Sequence, residues 1–158
     1  MNEIYTKVSG VGYDPLNKQH IVFLKELDGE RIMPIWVGTI ECISIARGIT
    51  QTAHKRPLTH DLIKNILEGM DAKVNKVVIN DIKDATYYAR IYIQKNNEII
   101  EIDARPSDSL AIAVRCKAPV YISQHVLDNA STFKIKNDDE LQHYLQEMKV
   151  EDFGKIDL

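Results

Sequence analysis

This sequence of 158 residues has only two cysteines, and it lacks long apolar runs and an excess of positive charge. The two cysteines, Cys42 and Cys116, are too few for a disulfide framework or a thiolate metal cluster, and each lies in an apolar helical segment. No segment reaches the roughly 18 apolar residues that cross a bilayer, and the first ten residues lack the apolar core of a signal peptide. We therefore expect a cytoplasmic protein with no membrane segment.

The charge balance narrows the possible functions. Lys and Arg total 20 against 23 Asp and Glu, so the formal net charge is −3. A protein that coats nucleic acid by bulk charge needs many contacts between cations and phosphates, and this composition argues against that class. It leaves room for a local basic pocket, or for an enzyme whose carboxylates hold a metal.

Hydrophobic periodicity predicts strands and helices in a recurring order. Seven strands are predicted, over residues 3–11, 20–27, 31–37, 74–82, 87–93, 98–103 and 119–122. Four helices are predicted, over residues 39–48, 57–70, 107–116 and 138–149. Thr39 is expected to cap the first helix and Gly48 to end it, while Thr59 caps the second helix and Ser107 or Asp108 caps the third.

The order of these elements predicts an internal repeat. A shift of 68 positions aligns Gly29 with Asn97, Thr39 with Ser107, and the strands and helices around them. We interpret the chain as two strand–strand–strand–helix repeats that form one α+β domain, with a mixed or antiparallel sheet and packed helices. This domain is predicted to cover residues 1–132, and residues 133–158 form a polar C-terminal extension with a short helix.

One polar cluster precedes the second predicted helix. Arg56 and His60 lie close to a helix N-terminus, whose free amides and dipole attract anions. One interpretation is a phosphate or carboxylate site. The alternative is a solvated basic loop in which Arg56 pairs with Asp61 or another carboxylate.

Two further clusters lie where a strand enters a helix. Asp103, Arg105, Ser107 and Asp108 fall within six residues, and such a set could grip a phosphate and hold a divalent cation beside it. Alternatively, Ser107 and Asp108 cap the helix while Asp103 and Arg105 lock the turn. Glu41 lies at the equivalent junction, where it suits the helix dipole and could bind a metal if the two junctions converge.

Four motifs together carry a resemblance to a known family. They are Pro34-Ile-Trp-Val-Gly38 with Glu41, Arg56-Pro-Leu-Thr-His-Asp61, Tyr87-Tyr-Ala89, and Ile102-Asp-Ala-Arg-Pro-Ser-Asp108 with Ala113-Val-Arg115. From the start of the chain to about Ala130, the sequence resembles the bifunctional nuclease domain family. The resemblance implies an α+β domain that tends to form homo-oligomers. It also implies hydrolysis of DNA and RNA, so that nucleic acid is the expected partner.

Two hypotheses about function follow. In the first, the chain is a metal-assisted nuclease that uses Mg²⁺ or Mn²⁺ to hydrolyse phosphodiester bonds. Its predicted catalytic residues are His60, Asp61, Asp103 and Asp108, its phosphate-binding residues are Arg56, Thr59, Arg105 and Ser107, and its metal ligands are Asp103, Asp108 and Glu41. In the second, the chain is a non-catalytic regulatory module whose arginines and helix N-termini recognise an anionic ligand or a protein partner.

Overall fold

The computed structural model describes residues 2–14, 16–137 and 139. The eight strands are β1 (Glu3–Asp14), β2 (Gln19–Glu26), β3 (Arg31–Val37), β4 (Ala72–Lys83), β5 (Thr86–Lys95), β6 (Glu98–Ala104), β7 (Val120–Ser123) and β8 (Phe133–Lys134). The four helices are α1 (Thr39–Thr50), α2 (Thr59–Gly69), α3 (Pro106–Cys116) and α4 (Gln124–Asn129). The seven predicted strands and the first three predicted helices are confirmed in position, whereas α4 and β8 were not predicted.

All eight strands form one sheet in the order β6-β5-β4-β7-β1-β2-β3-β8. Strands β4 and β7 run parallel, and the other neighbouring pairs are antiparallel. The prediction of an α+β fold with a mixed sheet and packed helices is therefore confirmed. The order strand–strand–strand–helix occurs at β1–β3 with α1 and again at β4–β6 with α3. The sequence duplication that we infer from this order stays a prediction.

Helices α1 and α3 pack against each other and cover one face of the sheet. The main core lies between this face and the helices, where Val77, Ile79, Ile91 and Leu110 are all at most 5% exposed. Along β5 the buried residues alternate with more exposed ones, as expected for a strand with one covered face. Strands β2 and β3 are instead buried on both faces. Among the described residues, none of the helices is long and apolar enough to cross a membrane.

The ends of the helices differ from the sequence prediction. Gly38 rather than Thr39 is the N-cap of α1, and Gly48 lies inside α1 rather than ending it. A Cβ atom at Gly48 would collide with the Val114 side chain of α3. Gly48 is therefore needed for close contact between α1 and α3, not for a turn. Helix α1 ends two residues later, and Gln51 adopts the left-handed conformation that follows.

The first residues of the predicted extension belong to the sheet. Strand β8 pairs with Arg31 and Ile32 at the free edge of β3. Phe133 and Ile135 pack with Phe23 and neighbouring residues in a second, smaller core cluster. The ordered fold thus continues past residue 132. The helix predicted at 138–149 lies outside the described residues, apart from position 139.

Candidate functional site

An open cleft of about 640 Å³ lies between helices α1, α2 and α3. Pro57 and Leu58, which precede α2, form one wall of this cleft. Its polar lining comes from all three helices and the residue before α3, and consists of Glu41, Ser44, Thr59, His60, Arg105 and Asp108. Five of these six residues were predicted from sequence as site residues. We refer to this space as the His60 cleft.

His60 is the most enclosed titratable group of the cleft, with a side chain that is 11% exposed. Its Nδ1 lies 2.6 Å from the Ser44 hydroxyl, and its Nε2 lies 3.0 Å from a carboxylate oxygen of Asp108. Because an ionised carboxylate only accepts hydrogen bonds, Nε2 donates to Asp108, which leaves Nδ1 as the nitrogen that faces the Ser44 hydroxyl. These two contacts fix the orientation of the imidazole.

Asp108 connects His60 to Arg105, the residue that precedes α3. Arg105 donates from Nε to Oδ2 of Asp108 at 2.9 Å, and its Nη1 lies 3.3 Å from Oε1 of Glu41. Partial burial alone would raise the pKa of Asp108. Hydrogen bonds from Arg105 and His60, with the Arg105 charge, outweigh burial and hold this pKa below its usual range. Asp108 is therefore ionised at neutral pH.

Asp61 lies on α2 but contacts a different arginine from the one considered in the sequence analysis. Arg115 of α3, with a side chain that is 6% exposed, donates from Nε to Oδ1 of Asp61 at 2.7 Å. Its Nη1 also donates to the backbone carbonyls of Ser44 and Ala111, both at 2.9 Å. Arg115 therefore links α1, α2 and α3 through hydrogen bonds. Asp61 takes part in this link and does not line the His60 cleft.

Asp103 is the predicted site residue that the structure separates most clearly from the others. Ile102 of β6 pairs with the core residue Ile91, whereas Asp103 pairs with Arg90 on the next row. Because side chains alternate along a strand, Asp103 projects from the sheet face opposite the helices. Its carboxylate is exposed and makes no hydrogen bond or ion pair with the described residues. The structure does not bring Asp103 to Glu41 and Asp108.

The other predicted phosphate-binding residues lie on three different surfaces. Thr59, at the start of α2, lines the His60 cleft. Ser107 is buried and lines a smaller cleft next to Trp36 and Tyr87. Arg56 lines a third cleft of about 440 Å³ between the C-terminal ends of α1 and α3. The structure therefore divides this set instead of placing it around one phosphate.

The described residues contain no group of three or more His, Cys, Asp or Glu side chains arranged to hold a metal ion. The carboxylates of Glu41 and Asp108 both form ion pairs with Arg105. They are the two acidic side chains of the His60 cleft that could bind a metal ion. Mg²⁺ in enzymes is often bound by one or two carboxylates together with water and substrate phosphate oxygens. Glu41 and Asp108 fit that type of site, in which the substrate completes the ligand set.

Comparison with known proteins identifies the family. Residues 22–134 match the bifunctional nuclease domain. The chain belongs to the bifunctional nuclease domain family. It is also 34% identical over 151 residues to an uncharacterised protein of Mycobacterium tuberculosis strain H37Rv, an alignment that covers 95% of this chain and 90% of that protein.

Plant members of the bifunctional nuclease family are longer than this chain. The chain is 31% identical over 114 residues to bifunctional nuclease 1 of Oryza sativa subsp. japonica, covering 70% of this chain and 34% of the rice protein. It is 28% identical over 109 residues to bifunctional nuclease 2 of Arabidopsis thaliana, covering 66% of this chain and 33% of that protein. The chain thus spans about a third of these plant proteins.

Two residues of this bifunctional nuclease domain that hold the site together were not predicted from sequence. Ser44 lies in an apolar helix, where a small side chain is more simply explained by close packing. Arg115 was part of a motif, but nothing in its local sequence indicates three hydrogen bonds to three helices. The signal common to both is a polar residue within a helix that is otherwise apolar on nearly every side.

Proposed function

We propose that this protein hydrolyses phosphodiester bonds of nucleic acid in the His60 cleft. The observation that supports this most strongly is the hydrogen-bonded series Ser44–His60–Asp108, which crosses three helices. A base within hydrogen-bond distance of a hydroxyl, and oriented by a carboxylate, is a typical arrangement for proton transfer in hydrolysis. The names of the plant relatives support nucleic acid as the substrate class.

His60 is the proposed general base, and it would act through the Ser44 hydroxyl, which lies 2.6 Å from its Nδ1. A water molecule beside Ser44 would give its proton to the Ser44 oxygen while the Ser44 proton moves to Nδ1. The water oxygen attacks phosphorus, and the bond between phosphorus and the leaving oxygen breaks. Asp108 stabilises the imidazolium through Nε2, and His60 then returns the proton to the leaving oxygen.

Arg105 is the proposed phosphate ligand of the cleft. Its guanidinium is 65% exposed and is held by two carboxylates, so it is positioned before substrate binds. Planar guanidinium groups bind phosphate oxygens in a two-pronged manner. Thr59 adds a hydroxyl and the first amides of α2 on the facing wall.

The two carboxylates beside Arg105 leave an excess negative charge that would oppose a phosphate on its own. We therefore retain Mg²⁺ or Mn²⁺ as the proposed cofactor, with Glu41 and Asp108 as its protein ligands. When bound, such an ion polarises the phosphate and neutralises charge that develops during hydrolysis. Asp103, on the opposite sheet face, is not included in this proposal.

The test is a nuclease assay on single-stranded DNA and RNA with wild-type protein, His60→Ala and Asp108→Asn. Loss of general acid–base catalysis should lower kcat by about 100-fold to 10,000-fold. His125→Ala is the matched control, because His125 is a half-exposed histidine of α4 outside the cleft. Unchanged activity of His60→Ala would assign the hydrolysis to another site or to a contaminant.

The non-catalytic alternative makes a different prediction for the same samples. A regulatory module would be stabilised against heat by its anionic ligand, and the stabilisation would grow with the logarithm of ligand concentration once this exceeds Kd. It would show no turnover with any divalent metal. Ligand-induced stabilisation without turnover, retained in His60→Ala, would favour this alternative over hydrolysis.

A further inference from the structure

The third cleft has a volume of about 440 Å³, and all but one of the charged residues that line it are cationic. The C-terminal turns of α1 and α3, the loop before α2 and the second turn of α2 form its walls. Its cationic lining consists of Arg47, Arg56, Lys64, Arg115 and Lys117, and its acidic lining is Asp61. We call this space the basic cleft. Its charge contrasts with the formal net charge of −3 for the whole chain.

The one carboxylate of the basic cleft is already committed to internal contacts. Asp61 accepts hydrogen bonds from Arg115 at 2.7 Å and from the Leu58 backbone amide at 2.9 Å. Burial would raise the pKa of Asp61, but these two hydrogen bonds and the Arg115 charge hold it below its usual range. Asp61 and Arg115 thus neutralise each other, and Lys64 pairs with Glu68 of the same helix at 3.3 Å. Arg47, Arg56 and Lys117 are left without a carboxylate partner among the described residues.

Two of those cations have no partner within the described part of the chain. Arg56 and Lys117 are exposed, and neither makes a hydrogen bond or an ion pair with a described residue. Arg47 contacts Nε2 of His54, an imidazole rather than a carboxylate. The C-terminal ends of α1 and α3 offset part of this positive charge, but each carries only about half a negative charge. A net positive cleft therefore remains.

The basic cleft adjoins the His60 cleft. Pro57 and Leu58 line both spaces, so a single loop wall separates them. A ligand that carries several phosphates in a row would span this wall, whereas a single phosphate would not. The geometry is that of two neighbouring subsites along one strand.

We propose that the basic cleft binds the phosphate backbone of the same nucleic-acid strand whose scissile phosphate lies in the His60 cleft. This inference rests on the proposed function and adds a second subsite to it. Arg56 and Lys117 would contact a phosphate that neighbours the scissile one. A chain with a negative net charge could hold a polyanion in this way, because several cations line one cleft.

The test is equilibrium binding of a fluorescent single-stranded oligothymidylate of about ten nucleotides, a length within the range of single-strand binding sites. Binding is measured in EDTA at several salt concentrations. Arg56→Gln and Lys117→Gln should each reduce the slope of log K against log salt by about 0.7, the value for one phosphate contact on a single strand. The double variant should lose about twice as much. Lys55→Gln is the matched control, because Lys55 lies in the same loop but does not line the basic cleft.

Three outcomes would overturn the proposal. The first is an unchanged slope in the double variant, and the second is an equal effect of Lys55→Gln, which would indicate general surface charge. The third is wild-type binding of thymidine monophosphate or inorganic phosphate as tight as that of the oligothymidylate, which would make the cleft a small-anion site.

Cleavage of a dinucleotide separates this proposal from the proposed function. A dinucleotide has a single phosphodiester phosphate, so its cleavage by the wild-type protein reports on the His60 cleft alone. With a long strand, Lys117→Gln should raise KM, whereas the control Lys55→Gln should not. Failure of the wild-type protein to cleave either substrate would contradict the proposed hydrolysis. It would leave the binding slopes as an independent result about the basic cleft.

Discussion

Nε2 of His60 lies 3.0 Å from Oδ1 of Asp108, although the two residues are 48 positions apart and belong to different helices. This contact exists because α2 and α3 are held at a fixed separation, and Arg115 provides much of that restraint. The chemistry of the cleft therefore depends on residues that do not line it. The predictions below test both the cleft and its support.

Ser44→Ala should lower kcat while leaving KM nearly unchanged. The substitution removes the hydroxyl that lies 2.6 Å from Nδ1 of His60, but alanine suits a helix and no bulk is added. Steady-state kinetics test the kcat effect, and nitrogen-15 NMR of the imidazole should show a changed Nδ1 resonance, because this nitrogen loses its hydrogen-bond partner, while Nε2 stays protonated beside Asp108. Ser109→Ala, which removes another buried helical hydroxyl, should change neither. A change in KM alone would make Ser44 a substrate contact instead of a proton relay.

Chelation by EDTA should abolish hydrolysis, and Mg²⁺ or Mn²⁺ should restore it. Glu41→Gln should raise the metal concentration needed for half-maximal activity, because amide oxygens bind hard cations more weakly than carboxylates do. Calorimetry should detect metal binding in the presence of a non-cleavable oligonucleotide and little without it, since the substrate completes the ligand set. The control is Glu98→Gln on the exposed edge strand β6. Full activity in EDTA would reject a metal cofactor.

Arg115→Lys should reduce the free energy of unfolding by about 1–3 kcal/mol, the usual cost of leaving buried polar groups without partners. A lysine ammonium carries the same charge but cannot reproduce the fixed fork that reaches Asp61 and two backbone carbonyls. Chemical denaturation measures the loss. Arg90→Lys, at a half-exposed ion pair with Glu101, should change stability by less than about 0.5 kcal/mol. Similar effects of the two substitutions would show that Arg115 is not a special restraint.

Stability should fall in acid partly through Asp61. Its pKa in the folded protein lies below the ordinary value of 3.8, so the unfolded chain takes up the proton first. The stabilisation is therefore fully present above about pH 4 and is lost as pH falls through the lower folded-state pKa. Asp61→Asn should be less stable than wild type at neutral pH and should lose less stability on acidification. Denaturation at a series of pH values, with the exposed Asp71→Asn as control, tests this; parallel pH curves for wild type and Asp61→Asn would contradict it.

Gly48→Ala should destabilise the fold by about 1–3 kcal/mol, the range for overpacking. The added methyl group would collide with the Val114 side chain and also lie near Nη1 of Arg115. Gly69→Ala is the matched control in a helix, because a Cβ atom there meets nothing within 4 Å. That substitution should be neutral or gain up to about 1 kcal/mol from helix propensity. Thermal unfolding of the two variants gives the comparison, and equal stability of both would show that α1 and α3 can separate without cost.

Much of the fold could be predicted because local patterns decide it. Hydrophobic periodicity predicted seven strands and the first three helices in their observed positions. The small elements α4 and β8 were missed because they are too short for periodicity to show. The ends of the helices were misplaced for a different reason. Gly48 has the sequence signature of a helix end, but the approach of α3 explains why it is glycine.

The candidate site was predicted in its residue types and only partly in its arrangement. One cleft brings together Glu41, His60, Arg105 and Asp108. The two strand–helix junctions therefore converge, which was the condition for Glu41 to share a site with Asp108. Asp103 does not join them, because one step along β6 turns a side chain to the other face of the sheet. Arg56 lies across the loop wall in the basic cleft.

Seven strands, the first three helices, the family and the polar residues at strand–helix junctions can all be predicted from the amino-acid order. They follow from local periodicity and motif order, which act over a few residues. Which charges pair depends on the packing of the whole chain. Asp61 pairs with Arg115 and not with Arg56, and Ser44 is the partner of His60. Arg56 and Lys117 make no ion pair with a described residue. These pairings depend on how helices that are far apart in the chain pack against one sheet.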